Sequence, residues 1–203
     1  MASMDLRPVV LEGETLRLEP LEARHAPGLA TAIDDETFDY FPPPFCPTGD
    51  ARASAEAFIA SKIWASTGGG LGYALVLREG GRVAGASCFL DVRPMHRGLE
   101  IGATFIARDL RGSRVNPEAK LLMLTHAFEA LGCVRVQLKC DARNAASAAA
   151  IAKLGATPEG VLRRHMVMRN GFVRDTLMFS ITDEDWPRVR GALRARLGYA
   201  RPA

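Results

Sequence analysis

Residues 108–155 read RDLRGSRVNPEAKLLMLTHAFEALGCVRVQLKCDARNAASAAAIAKLG, and the order of elements in this stretch decides the fold. Arg111-Gly112-Ser113-Arg114-Val115-Asn116 is a loop rich in backbone donors that leads into Pro117-Glu118. Asn116 suits a helix cap, and Pro117 suits the first helical position, where its missing N–H costs nothing. The amides of that first turn then point back at the loop. With Arg111 and Arg114 beside it, such a helix N-terminus is an anion site. The plain alternative is a capped helix that binds nothing. Val134–Cys140 follows as a strand and ends at Asp141-Ala142-Arg143-Asn144. Asn144 caps a second helix, which stops at Gly155.

Upstream, Thr15–Leu21 alternates Leu16 and Leu18 with Arg17 and Glu19, the period of a half-buried strand. Ala23–Ile33 reads as a helix. Residues 34–47 read as a loop in which Phe38, Tyr40, Phe41 and Phe45 sit among prolines. Thr48-Gly49-Asp50 opens a second helix through about Ser66, with Ala55, Phe58, Ile59 and Ile63 on one apolar face. Gly72–Leu77 and Arg82–Val92 read as antiparallel strands around Gly80-Gly81, and Leu99–Ala107 as the fourth strand. Downstream, Val161–Met168 and Val173–Ile181 flank Asn170-Gly171, a type I′ hairpin signal. Thr182–Leu197 closes the chain as a helix, with Thr182 as cap and Asp183, Glu184 and Asp185 in its first turn. One crossover unit among antiparallel strands gives an α/β (α+β) class. The sheet is mixed, mostly antiparallel and twisted, of about seven strands with helices on both faces.

The 203 residues are read as one domain, 1–203, long enough to bury a sizeable core. A net charge of +3 is too small to argue for a nucleic-acid partner, and the basic residues are dispersed without a recognition motif. No run reaches the length of a membrane span, and Met1–Val10 lacks the apolar stretch of a signal peptide. Cys46, Cys88, Cys133 and Cys140 lack metal-type spacing and read as reduced thiols, so the expectation is a cytoplasmic protein without a metal.

From about Glu14 to Trp186 the chain resembles the GNAT superfamily of acyl-CoA-dependent N-acetyltransferases, and most closely its RimJ/RimL-type branch. The resemblance rests on Leu99-Glu100-Ile101-Gly102, Asn144-x-x-Ser147, Lys153-Leu154-Gly155-Ala156 with Glu159-Gly160-Val161-Leu162-Arg163, and Arg174-Asp175 before Phe179-Ser180. The pyrophosphate loop departs from the superfamily pattern. Arg111 fits its first position, but Arg114 and Asn116 stand where small residues are the rule. The resemblance implies a GNAT-like sheet whose fourth and fifth strands splay apart, with acetyl-CoA in the gap as cosubstrate. It implies acetyl transfer to a primary amine, either a peptide N-terminus or a small molecule, and it is compatible with a homodimer. The alternative is a catalytically silent GNAT-fold module that binds CoA or regulates.

Acetyl transfer to an amine needs a proton acceptor, donors for the thioester oxygen and an acid at the leaving sulfur. Glu100, beginning the fourth strand, is the first candidate for the base. His96, in the preceding loop, and His165 are the others. In the resembling RimL-type enzymes a proposed base glutamate falls at Met166 by spacing, so that role does not carry over. Ser147 is the candidate acid, and by resemblance Asn144 contacts the pantetheine arm; plain capping by Asn144 is compatible with that. Thr104, Phe105 and Ile106 offer backbone groups to pantetheine, and Arg111, Gly112, Ser113, Arg114, Val115 and Asn116 form the phosphate loop. Lys153 either reaches the ribose phosphate or is solvated. Phe38, Tyr40, Phe41, Phe45 and Trp64 either line the acceptor pocket or plug the core.

Overall fold

The computed structural model describes residues 4–43, 50–61 and 69–199. Eight strands form one sheet in the order β1-β2-β3-β4-β5-β6-β8-β7. They are β1 Leu11–Glu12, β2 Leu16–Pro20, β3 Leu71–Leu77, β4 Val83–Arg93, β5 Gly98–Ile106, β6 Arg135–Asp141, β7 Thr157–Val167 and β8 Val173–Thr182. Every neighbouring pair is antiparallel except β5–β6, the crossover pair. The expected class holds, with β1, a two-residue strand too short for a periodic signal, as the eighth.

Alternation along the strands sorts side chains into two layers. Leu75, Phe89, Leu99, Ile101, Val136, Leu138 and Ile181 pack under α3 (Val115–Thr125), α4 (Ala145–Ala152) and α5 (Trp186–Leu197). Ala74, Val76, Ala86, Cys88, Leu90 and Phe105 pack under α1 (Ala26–Ala30) and α2 (Ala51–Ser61). The second cluster draws on β3, β4 and β5 but holds no buried residue of β6, β7 or β8. That half of the face is free for polar side chains.

Three local expectations are corrected. α3 starts at Val115, so Asn116 lies inside its first turn and is not the cap. The Ser113 hydroxyl accepts the Val115 N–H at 3.2 Å and closes the turn earlier, and Pro117 is tolerated anywhere in a first turn. The Asn170-Gly171 hairpin is not type I′, because Gly171 (φ +78°) but not Asn170 has a positive φ. Met168 pairs with Phe172 across a three-residue loop closed by a bond from Gly171 N–H to the Met168 carbonyl at 2.9 Å. This is a type I turn followed by a glycine bulge. Thr182 and Asp185 clasp each other through side chain and backbone, but the helix proper begins one turn later at Trp186. The expected Asn144 cap is present: Oδ1 accepts the Ser147 N–H at 2.9 Å. The expected limits of the second helix, Thr48 and Ser66, lie outside the described residues. No helix among the described residues is long and apolar enough to cross a membrane.

Candidate active site

β5 and β6 pair only at Gly98–Arg135, Leu99–Val136 and Glu100–Gln137. Beyond Glu100 the two strands separate, leaving the edge of β5 from Ile101 to Ile106 without a β6 partner. The expected splay is therefore present, and its apex is Glu100. On its other edge β5 bulges: Ala86 pairs with Phe105 and Cys88 with Gly102, so three steps on β5 match two on β4. Ala103 takes the extra step at φ +49°. A non-glycine residue there stores about 1–3 kcal/mol of strain, the kind of cost that gathers at functional sites. Gly102, Ala103 and Thr104 are half-buried between buried Ile101 and Phe105, so the bulge borders the gap.

Across the apex runs a polar belt. β6 alternates Val136, Leu138 and Cys140 in the core with Gln137, Lys139 and Asp141 on the other face. Glu100 is 2% exposed, and its Oε2 accepts from Lys139 Nζ at 2.8 Å and Gln137 Nε2 at 3.0 Å. Its described hydrogen bonds all end on that oxygen. Gly102 makes room for the carboxylate, since a Cβ there would lie 2.9 Å from Oε1. His165, exposed on β7, lies within electrostatic reach of the belt: partial burial lowers its pKa first, and the charges of Lys139 and Arg174 lower it further against the opposing pull of Glu100. The imidazole is thus neutral near pH 7. His96 is placed elsewhere, exposed in the 3₁₀ turn before β5, with the three paired residues between it and the gap. Met166 pairs with Arg174 beyond a bulge that includes Arg164 at φ +51°.

The loop after β5 is more committed to the protein than its sequence implies. Arg111 donates to Asp34 Oδ2 at 2.8 Å and to the Ile106 carbonyl at 3.1 Å. Arg108 reaches the same Asp34 at 3.1 Å. Burial opposes ionisation of Asp34, but bonds from Thr37, Arg108 and Arg111 outweigh it and hold the carboxyl at about 2. Arg114 turns toward the C-terminal segment, donating to the Leu197 carbonyl at 3.2 Å with its guanidinium over the Tyr199 ring. Gly112 and Ser113 are exposed, Val115 is buried, and the Asn116 Oδ1 is buried without a hydrogen-bond partner. On the far side of the gap, Ser147 is half-buried in the first turn of α4 beside the Cys140 thiol.

A cleft of about 300 Å³ opens on the polar face, walled by Phe38, Tyr40 and Phe41 on one side and Arg143, Met168 and Asn170 on the other. The aromatic loop serves both expected roles. Phe38 is 8% exposed and packs edge-on against Phe41 and Phe105, whereas Tyr40 is exposed to the cleft. Phe45 and Trp64 lie outside the described residues. Beneath the cleft, Asp141 (1% exposed) binds Arg143 through both oxygens, and Arg174 (4% exposed) bonds Thr176 and the Tyr40 carbonyl. Arg143 stacks 3.7 Å from the Phe172 centroid.

Gln137, Lys139, Asp141 and the buried Lys120 are not among the residues expected at the site, and Arg174 entered only as part of a motif. The period-2 polar set of β6 was a signal for the first three, and Lys120 interrupts an apolar helix face. Among the described residues no group of His, Cys, Asp and Glu is arranged to hold a metal ion.

The model of the acetyltransferase (GNAT) domain matches residues 15–157. A protein from T. thermophilus, assigned as an acetyltransferase, is 35% identical; the match covers 96% of this chain and 100% of that one, with a TM-score of 0.84. A GCN5-related N-acetyltransferase from Brucella melitensis is 29% identical over 94% of this chain and 86% of its own, with a TM-score of 0.83. RimJ of Mycobacterium smegmatis, solved in complex with CoA-disulfide, shares the fold at 20% identity, with 100% of both chains covered and a TM-score of 0.77. No curated protein matches in sequence. Sheet order, splay and domain match agree, and the chain belongs to the GNAT family of acetyltransferases.

Proposed function

We propose that this protein moves an acetyl group from acetyl-CoA directly to a primary amine, a peptide N-terminus or a small-molecule amine, in the manner of RimJ/RimL-type enzymes. The observation that carries the reading is the parting of β5 and β6 immediately after a buried glutamate. The residues fit the cosubstrate. The open β5 edge offers backbone groups to the pantetheine amides as a neighbouring strand would, and the orphaned Asn116 Oδ1 offers an acceptor in the first turn of α3. Acetyl-CoA supplies the activated acyl group; this chain supplies orientation and proton handling. Glu100 takes a proton from the amine, directly or through water, with His165 as the neighbouring alternative. An amide of the β5 bulge donates to the thioester oxygen. The Ser147 hydroxyl donates to the leaving sulfur.

Transfer without an acyl-enzyme accords with the thiols. Burial pushes Cys88 up to about 12 and Cys133 up to about 11, and it raises Cys140 as well, so none of these three described thiols is a ready nucleophile. The test is consumption of acetyl-CoA against a panel of peptides and small amines, followed by thiol release. Release that depends on the amine is the expected result; binding of acetyl-CoA with no transfer to any amine would leave the silent module.

Ser147→Ala should lower kcat while leaving the acetyl-CoA dissociation constant nearly unchanged, because an acid at sulfur acts in the transition state. Weakened binding with intact turnover at saturation would make Ser147 a positioning residue. Acetyl-CoA should also raise the Tm, and the double variant Arg111→Glu/Arg114→Glu should lose that increment relative to its own baseline. Loss requires the guanidiniums to exchange Asp34 and the Leu197 carbonyl for phosphate. An undiminished increment would remove both arginines from the phosphate site.

A further inference from the structure

α3 carries a charge that neither packing nor the roles above explain. Lys120 is 4% exposed, on the helix face turned to the sheet. Its Nζ donates to Thr104 Oγ1 at 2.6 Å and to Ser87 Oγ at 2.9 Å, and the two hydroxyls lie 2.8 Å apart. Both partners are neutral. Lys120 joins no ion pair among the described residues, and its titratable neighbour, the Cys88 thiol, is kept uncharged by burial. Burying an ammonium without a carboxylate is costly, and a methionine would fill the same space without that cost. The hydroxyls it clamps flank the β5 bulge: Thr104 follows the strained Ala103, and Ser87 lies opposite, between the paired Ala86 and Cys88. One turn earlier on α3 stands Asn116 with its orphaned Oδ1. A buried polar stripe thus backs the unpaired edge of β5.

We propose that Lys120 is a positioning residue for acetyl transfer: through Thr104 it fixes the β5 bulge against the gap and sets a positive charge behind the place where the thioester oxygen gains negative charge. The inference rests on the acetyl-transfer reading. In its ammonium form Nζ donates to both oxygens at once, so the Thr104 side chain and the backbone that carries it have one arrangement. An amide held in advance toward developing charge needs no reorganisation during the reaction. The absent carboxylate then has a reason, since a resident anion would cancel the field that favours the oxyanion. Burial lowers the ammonium to about 7, so amine and ammonium coexist near neutrality.

The experiment compares wild type, Lys120→Met, Thr104→Val and the double variant, using acetyl-CoA and an amine on which wild type turns over. Lys120→Met should cut kcat by about 10- to 100-fold, less than loss of a direct donor, with little change in the KM for acetyl-CoA. Thr104→Val should give a similar loss, and the double variant no more than either single one, because the two act as a unit. Stability should move the opposite way. Below pH 7 the native state carries an unpaired buried charge that Lys120→Met removes, so that variant should melt at or above wild type. Its advantage should narrow from about pH 7 to pH 10, where unfolded lysine still binds a proton that the native state has released.

A readout free of turnover comes from isotope-labelled lysine, of which the chain holds four. One signal, absent from Lys120→Met, should titrate near neutrality and shift when acetyl-CoA is added. Should Lys120→Met fail to fold, Thr104→Val and the wild-type titration decide. Unchanged kcat in the single variants, multiplying losses in the double one, or a lysine signal indifferent to acetyl-CoA would overturn the inference while the transfer reading stands. A wild type that binds acetyl-CoA and acetylates no amine would overturn both.

Discussion

Glu100→Gln is expected to lower kcat by about 10²–10⁴-fold near neutral pH, the usual worth of general-base assistance. The glutamate closes the paired part of β5 and β6, and the substitution keeps its shape. A glutamine oxygen can still accept from Lys139 and Gln137, so the apex should hold while the proton acceptor is lost. An acceptor amine with a pKa near 8 or 10 arrives mostly protonated at pH 7, so the defect should shrink as pH rises and more amine arrives neutral. His165→Gln supplies the contrast, because that imidazole lies within electrostatic reach of Glu100; His96→Gln should change little, given its place in the exposed turn. Near-normal kcat with an unmoved pH profile in Glu100→Gln would take the role from Glu100. A large defect in His165→Gln would then transfer it.

Asp141→Ala should give the largest loss of stability, about 3–5 kcal/mol, as expected when one partner of a buried ion pair is removed. For a chain of this size that corresponds to a Tm lower by roughly 6–20 °C. Most of the loss comes from Arg174 and not from Arg143. The Arg143 side chain is 43% exposed and can turn to water. Arg174, 4% exposed with its Nε 4.0 Å from Asp141, would keep only a hydroxyl and a carbonyl. Burial opposes ionisation of Asp141, but bonds from Arg143 and the charges of both arginines outweigh it, so its folded pKa lies below the ordinary value. A depressed carboxylate contributes stability that is present above its unfolded pKa and lost as pH falls through the folded one. The gap between wild type and variant should therefore be constant near neutrality and narrow only below about pH 4. A Tm within about 2 °C of wild type would show that Arg174 finds water or another partner at little cost. The same substitution should loosen the Tyr40 wall of the cleft, which hangs on Arg174 through its carbonyl.

Strand periods and one cap were legible locally. Leu16 and Leu18 alternate into the core, β6 alternates core and polar positions, and Asn144 caps α4 through its own side chain. These depend on strand period and on contacts within three residues, which spacing encodes. Where local chemistry permits two solutions, neighbours choose. Asn116 fell inside the first turn of α3, with Arg114 at the cap and the Ser113 hydroxyl taking the Val115 N–H, and Asn170-Gly171 took a three-residue loop. The site itself is built from longer reach. Arg111 meets Asp34 across 77 residues and Arg114 meets the Leu197 carbonyl across 83, so two arginines read as free for phosphate have partners within the protein. The parting of β5 and β6 fixes which strand edge is open, and the apolar α1–α2 layer ends at β5, so the face beyond it carries the polar belt. The sequence by itself determined the class of sheet, the crossover and the family, because period, caps and motif order are properties of short segments. Which charges are buried, paired or left facing the gap was decided only when the strands met, because the cost of burying a charge depends on neighbours that spacing does not name.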